Sequence, residues 1–477
     1  VFGHTPRGTA SSSRASRRFA SLLAATAMGV YLLVVVGATT ALTDAAAACS
    51  TWPACNGRWL VPLDDPQLAI AWGHRVAALG VAVLLVATTV LGWRVNARRR
   101  VRAALTVATV LYPVQVGVGA FTATAATPAI VSAAHLLAGM AIFGGVVLAL
   151  AWTLEPETPD EPMGTRDPEE MPDAADPAPT GAATPSGLLA RAKRTGFAYF
   201  RLMKPRLMWL LCLVASAAMA LAAGPALRVG TVVATLTGGV LAIGAAGTFN
   251  HVFERDVDRK MSRTADRPAA TDQIPIRNAV AFGVSLAALS LVAFLSVNVL
   301  AAVLGLFAIL FYSVIYTLLL KPNTVQNTVI GGFAGALPAL IGGAAVTGEI
   351  GLPAVVLAGV IFLWTPAHFY NLALAYKDDY ARGGFPMMPV VRGEAVTRKH
   401  ILLYLGATLL AAALLSAVTT LGWLYAGTSV AFGALFLWTV LGLHRERTEE
   451  AAFRSFHASN AYLGALLIAV VVDALAF

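Results

Sequence analysis

This sequence is poor in charge. Only 12% of its 477 residues are Asp, Glu, Lys or Arg, against about a quarter in an ordinary soluble protein. With 58% hydrophobic residues and a mean hydropathy of +0.72, that deficit excludes a soluble globular chain. Lysine is scarcer still, and we read the bias towards arginine as codon usage, with no functional inference. Cysteine is limited to three residues. Cys212 sits alone in an apolar run and reads as packing, whereas Cys49 and Cys55 share one loop. A net charge of +9 would suit a nucleic-acid partner, but the cations cluster in short loops between apolar runs. That is the positive-inside pattern of a membrane protein, so no nucleic-acid partner is expected.

What is present is a series of apolar runs, each of about 18 residues or more and so long enough to span a bilayer. The chain reads as an all-α, polytopic membrane protein of thirteen spans, in two groups. Residues 1–18 are Ser-, Arg- and Gly-rich and read as a disordered basic arm. The run from Phe19 to about Leu42 is too long for a signal peptide and reads as the first span. Three more are expected near 69–93, 103–123 and 129–154, completing a four-span domain over 19–154. Residues 155–187 hold eight of the 24 prolines and nine of the 25 acids, and read as an extended, disordered linker. From 188 a basic approach segment leads into nine further runs, near 207–223, 229–249, 276–297, 299–320, 325–346, 352–376, 401–423, 425–443 and 459–477.

Five arginines in Arg94–Arg102 place that loop in the cytoplasm, and with it the amino terminus. Counting spans then puts the carboxyl terminus and the Cys49–Cys55 loop outside, where the two thiols are a candidate disulfide. The same count brings 250–275, 321–324, 377–400 and 444–458 to the cytoplasmic side of a cell membrane.

The larger half is organised around NHVFERDVDRKMSRTADRP, Asn250 to Pro268. On a helix advancing about 100° per residue, Asn250, Glu254 and Asp258 share one face. Asp256 points about 160° away from Glu254 and is expected to pair with a neighbouring arginine. A second stretch, YKDDYARGGFPMMP from Tyr376, follows another long apolar run. There Asp379 lies eight residues after Asn371, as Asp258 does after Asn250. Asp378 points about 100° from Asp379, so Asp379 is the better candidate. Two acid clusters at one end of a bundle suit Mg²⁺, which takes one or two carboxylates and leaves its other positions to water and substrate phosphates. Lys204, Arg206, Lys260, Arg263, Arg267 and Lys377 would neutralise the same phosphates. Surrounding apolar helices would hold a lipid tail while an allylic diphosphate ionises.

Asn250-x-x-x-Glu254-x-x-x-Asp258 followed by RTADRP resembles the first signature of the UbiA superfamily of intramembrane prenyltransferases. With LMKPRL (202–207), KPNTVQNTVIGGFAGALPALIG (321–342) and WTPAHFYNLALAYKDDYARGGFPMMPV (364–390), the wording is closest to the protoheme IX farnesyltransferase branch. Over 188–477 the resemblance implies a nine-helix bundle, Mg²⁺, and farnesyl diphosphate and haem b as substrates. It carries catalytic positions over to Asn250, Glu254, Asp258 and Asp379, with Asp378 adjacent, and the metal to Asn250, Glu254, Asp258 and Asp379. Glu254 stands where the family commonly has Asp. His251 and His368 lie beside the two clusters, where either would meet the haem. Two other readings are a UbiA-type enzyme acting on a quinone precursor and a non-enzymatic haem carrier.

In the smaller half, His74 (AWGHRV) and His135 (SAAHLLAG) sit on the second and fourth spans, where an ionisable side chain is usually functional. Two such residues on a four-helix bundle suggest bis-His haem ligation. With TTALTDAAAACSTWPACNG, these strings resemble one repeat of haem A synthase, which implies haem binding, and haem A synthase or a second copy of this chain as partner. Ala71 stands where that family often has an acid.

Overall fold

The computed structural model describes residues 8–41, 45, 48–62, 64–125, 128–155 and 187–476. Four long helices precede the linker: α1 (Gly8–Ala41), α2 (Pro66–Arg94), α3 (Arg99–Thr124) and α4 (Ala129–Leu154). After it come α5 (Leu188–Leu202), α6 (Pro205–Ala223), α7 (Val229–Phe253), the short α8 (Arg255–Asp258), α9 (Ile276–Leu295) and α10 (Val299–Leu310). α10 continues without interruption into a π-helical segment, Phe311–Leu320. The chain closes with α11 (Asn327–Thr347), α12 (Leu352–Ala375), the short α13 (Lys377–Arg382) and α14 (Met388–Arg392), then α15 (Glu394–Val418), α16 (Trp423–Glu446) and α17 (Glu449–Ala476).

Thirteen helices are long and apolar enough to cross a membrane, four before the linker and nine after it, and no strand occurs among the described residues. The 4+9 architecture is therefore the expected one. Near the end of the chain, α15 and α17 begin well before their expected starts, at Glu394 and Glu449. Glu394 and Arg398 on α15, and Glu449, Glu450 and Arg454 on α17, hid these starts from hydropathy. α1 begins at Gly8, within the expected arm, whose residues 1–7 lie outside the described residues. Apart from Glu155 and Gly187, so does the linker.

By contact the chain forms two compact units, Val1–Thr158 with Leu402–Arg445, and Pro159–Ile401 with Glu446–Phe477. Contact and sequence thus divide the chain differently, because most of α15 and all but the end of α16 belong with α1–α4. Polar bonds fasten them there: Tyr31 and Ser429 hydroxyls lie 2.6 Å apart, and Thr39 and Ser416 hydroxyls 3.3 Å apart. In an apolar medium such pairs hold helices together, since neither group has water as an alternative.

The second unit packs through small residues. A Cβ on Gly342 of α11 would stand 2.4 Å from the Ala215 carbonyl of α6, and one on Gly343 would stand 2.6 Å from Ala354 of α12. Backbones this close gain dispersion contact, the main attraction between helices in lipid. α7 lies chiefly against α9, and α17 against α6 and α12. The amphipathic α5 buries Ala198 and Leu202 while Arg191, Lys193 and Arg194 stay exposed.

Candidate active site

At the carboxyl end of α7 the helix bends but does not lose its register. Glu254 caps α7 with φ −93° and ψ 3°, and α8 resumes at once. The Glu254 amide donates to the Asn250 carbonyl at 2.9 Å and the Asp258 amide to that of Glu254 at 2.7 Å. Asn250, Glu254 and Asp258 therefore keep the four-residue spacing, and all three are buried. Burying carboxylates requires compensating charge. Lys321 supplies it to Glu254, with Nζ 2.6 Å from Oε1. Arg267 Nη1 donates to both oxygens of Asp258, at 2.9 and 2.8 Å, and stands 3.8 Å from Glu254 Oε2.

Lys204 completes the group from the turn between α5 and α6. Its backbone is left-handed, with φ 56° and ψ 57°, a conformation uncommon outside glycine. Pro205 then starts α6. The side chain crosses α7 at Gly247, where a Cβ would meet Lys204 Cγ at 3.2 Å. Its ammonium donates to Asn250 Oδ1, and to the Tyr312 hydroxyl at 3.1 Å. Asn250 Nδ2 in turn donates to Thr317 Oγ1 at 3.0 Å. Tyr312 and Thr317 both come from the π-helical segment, a geometry found often at functional sites.

Titration follows from these neighbours. Burial lowers the Lys204 ammonium to about 7, with Arg267 adding to the effect against the pull of Glu254 and Asp258. Burial raises Glu254, but Lys321, Lys204 and Arg267 together outweigh it and leave the carboxyl below its usual value. Asp258 stays above its usual value, because burial and the nearby Glu254 charge exceed what Arg267 returns.

Asp379 is placed differently. Its Oδ1 accepts from the Ser262 amide at 2.9 Å, the Ser262 hydroxyl at 2.7 Å and Arg382 Nη2 at 2.5 Å, and its Oδ2 accepts from the Arg263 amide at 3.1 Å. These bonds keep the carboxyl below its usual value although burial pushes it up. The second stretch thus holds the 262–263 turn of the first. Arg263, so positioned, lies over the rings of Tyr376 and Tyr380 at 5.6 and 5.7 Å, and its Nε has no hydrogen-bond partner.

The remaining expected residues are scattered. Asp378 is half-buried in the first turn of α13, and Arg206 is exposed in the first turn of α6. Lys377 pairs with Glu394 at 2.5 Å. Asp256 pairs with Arg255 and Arg259, as its helical direction predicts, and Asp266 pairs with Arg201. His251 is buried beside Asn250, with Nδ1 unpartnered. His368 is stacked between Trp364 and Phe456, both centroids 4.3 Å away, and its Nδ1 lies 2.7 Å from the Ser459 hydroxyl. Sequence reasoning did not single out Lys321, Tyr312 or Ser262. Lys321 opens one of the expected loops, and that position was the available signal.

Below the charged group lies an apolar cavity of about 760 Å³, including its mouth, with Lys204 and Tyr312 at one end. Its walls come from α6, α7, α9, α10, the π-helical segment and α11. Among the described residues, no three of His, Cys, Asp and Glu converge as a metal cluster. The oxygen donors Asn250, Glu254 and Asp258 nevertheless fit Mg²⁺, which needs one or two carboxylates from the protein. A cationic nitrogen of Arg267 already stands between the two carboxylates.

In the first unit, Cys49 and Cys55 are joined in a disulfide. Arg75 binds that loop through the carbonyls of Cys49, Thr51, Pro53 and Ala54. The rings of His74 and His135 occupy space left by Gly37 and Gly119, where a Cβ would lie 3.4 and 2.8 Å away. Both Nδ1 atoms are buried without a hydrogen bond, while Gln115 Nε2 donates to the His135 carbonyl at 2.7 Å.

The UbiA prenyltransferase family matches residues 209–464, and the cytochrome oxidase assembly protein family matches 20–176. A protoheme IX farnesyltransferase of Haloarcula marismortui is 64% identical over 97% of this chain and 99% of its own. Protoheme IX farnesyltransferase 1 of Natronomonas pharaonis is 62% identical over 96% and 99%. A structure of digeranylgeranylglyceryl phosphate synthase in membranes aligns with TM-score 0.50 at 17% identity, covering 60% of this chain and 100% of that one. It shares the fold. By the family match and by near-full-length identity, the chain belongs to the UbiA prenyltransferase family, among relatives named protoheme IX farnesyltransferase.

Proposed function

We propose that this protein transfers the farnesyl group of farnesyl diphosphate to a vinyl group of haem b. Addition of water completes the product, so that haem b, farnesyl diphosphate and water give haem O and diphosphate. The observation that carries this reading is the junction of a buried charged group with an apolar cavity. Lys204, Arg263, Arg267 and Lys321 outnumber Glu254 and Asp258 there, which suits a polyanionic head attached to a hydrocarbon tail. The acceptor comes from the relatives' name.

Asn250, Glu254 and Asp258 would hold Mg²⁺; Asp379 would join them only by exchanging its bonds to Ser262 and Arg382. Bound there, the metal supplies Lewis-acid stabilisation of the leaving diphosphate. The protein needs no nucleophile of its own. Arg263 and Arg267 orient the diphosphate, Tyr312 closes the boundary between charge and tail, and the apolar walls exclude water until the carbon–carbon bond has formed. His251 and His368 are the candidate contacts to haem.

The test is product analysis by mass. Purified protein with haem b, farnesyl diphosphate and Mg²⁺ should give haem carrying one farnesyl group and one added water. Prenylation of an aromatic quinone precursor in place of haem would favour the quinone reading. Haem binding without diphosphate release would favour a carrier.

For the first unit we infer a haem held by His74 and His135, supported by their two buried, unpartnered ring nitrogens. Haem A synthase or a second copy of this chain is the expected partner of that half. A Soret band unchanged by His74→Ala in the haem-loaded protein would defeat this assignment. The five arginines of Arg94–Arg102 support a cytoplasmic amino terminus, an external carboxyl terminus and a cell-membrane location.

A further inference from the structure

The cavity beneath the charged group is narrowed at one level by a tightly held ring. Phe294, near the end of α9, lines the cavity and is fully buried. One edge of its ring faces Gly238 of α7, where a Cβ would stand 2.8 Å from Cδ1 and Cε1. The other edge faces Gly305 of α10, where a Cβ would stand 2.5 Å from Cδ2 and Cε2. The ring is thus slotted between two helices at positions where neither has a side chain. The Ser290 hydroxyl, one turn earlier on α9, donates to the Gly238 carbonyl at 2.7 Å and fixes α9 against α7 at this level. The ring cannot swing aside without separating the helices.

Its depth can be read along α7. Gly247, where Lys204 crosses, and Gly238, where Phe294 sits, are nine residues apart, about 13 Å at the helical rise of 1.5 Å per residue. That is close to the length of an extended prenyl chain of three isoprene units. One turn beyond Gly238 the cavity wall continues at Thr235, a buried residue whose hydroxyl makes no hydrogen bond.

We propose that Phe294, wedged between Gly238 and Gly305, sets the length of prenyl chain this protein accepts, by narrowing the cavity beyond the reach of three isoprene units. The proposal rests on the reading of the cavity as the tail site of a prenyl diphosphate. Shortening the side chain would widen the passage to the part of the cavity walled by Thr235 and admit a fourth unit.

The experiment uses the full chain in detergent with Mg²⁺, haem b and equal concentrations of geranyl, farnesyl and geranylgeranyl diphosphates, with products separated by mass. The wild type should give chiefly the farnesyl product. In Phe294→Ala the ratio of geranylgeranyl to farnesyl product should rise at least about tenfold, the low end of discrimination by an apolar pocket. Phe294→Leu keeps more of the core filled and should shift the ratio in the same direction by a smaller factor, which keeps the test open if the alanine variant does not fold. A folded variant that retains farnesyl transfer with the wild-type ratio would overturn the proposal. Thermal stabilisation by each of the three diphosphates gives a readout independent of transfer. There, Phe294→Leu should gain more from geranylgeranyl diphosphate than the wild type does, and an unchanged order would again overturn it. Absence of transfer by the wild type with all three donors would instead count against the proposed reaction, while the stabilisation series would still decide the role of Phe294.

Discussion

Asn250–Asp258 and Asn371–Asp379 have the same spacing and each begins in the last turns of a long membrane helix, yet their polar groups do different things. In the first, three successive turns present Asn250, Glu254 and Asp258, and each is met by a cationic side chain from another part of the chain: Lys204, Lys321 and Arg267. In the second, Asn371 turns back on its own helix, donating to the Ala367 carbonyl at 2.6 Å. Asp379 spends its oxygens on the turn that follows the first stretch. One stretch makes a charged surface and the other holds that surface's loop in place. Side-chain pairs met only by side chains can be exchanged for metal and phosphate without unfolding anything. A carboxylate holding two backbone amides cannot leave them at so small a cost, because two partly buried amides would lose their partner at once.

Neutralising each acid without changing its shape separates the two roles most strongly. Asp258→Asn removes the charge from a proposed ligand, and transfer should fall by about 10³-fold or more, on the scale of losing a group that stabilises the departing charge. Asp379→Asn keeps a carbonyl oxygen for one of the two backbone amides and sets its own NH2 against the other, and the loss should stay within about 10–100-fold, as for a supporting residue. Steady-state farnesyl transfer by the two purified variants measures both. Equal loss in the two would mean that Asp379 binds the metal directly and that the difference drawn here is wrong.

Spacing within a helix made part of this legible in the sequence. Hydropathy gave the thirteen spans, and a 100° step per residue placed Asn250, Glu254 and Asp258 together and turned Asp256 away. Two kinds of information were out of reach. Lys321 lies 67 residues after Glu254, and no local period connects them. Tyr312 and Thr317 face the site through a π-helical segment, in which Thr317 Oγ1 reaches back to the Tyr312 carbonyl at 2.8 Å. A 3.6-residue period assigns faces wrongly over such a stretch. The role of Asp379 was hidden for a related reason: its partners are backbone amides, whose position depends on the fold of the 259–275 loop and not on residue type. Membership of α15 and α16 in the first unit was equally hidden, since Ser416 and Ser429 look like ordinary small residues of a span.

A finer test acts on one bond of the anchor. Ser262→Ala removes the hydroxyl that donates to Asp379 at 2.7 Å but leaves both backbone amides in place. Losing one hydrogen bond to a charged group is worth about 1.5 kcal/mol at the low end, so transfer should fall roughly tenfold. The change should appear as a higher KM for farnesyl diphosphate with kcat nearly unchanged, because a looser turn positions Arg263 less well without altering the acids. A fall in kcat at constant KM would place Ser262 nearer the reacting atoms than this comparison allows.

The smallest effect is expected at Lys377, immediately before the second stretch's two acids. By position it looks like a phosphate ligand, but its ammonium lies 2.5 Å from Glu394 Oε1, and both side chains are partly exposed, at 28% and 34%. A pair in that setting contributes between about 0 and 1 kcal/mol. Diphosphate binding would have to compete with Glu394 for the same charge. Lys377→Ala should therefore leave KM for farnesyl diphosphate within about twofold of the wild type, whereas Arg263→Ala, which removes a guanidinium whose Nε has no partner, should raise it by an order of magnitude or so. Measured side by side, the two variants ask whether the second stretch reaches the substrate at all. A large KM effect at Lys377 would show that it does, by a cation released from Glu394 when the diphosphate arrives.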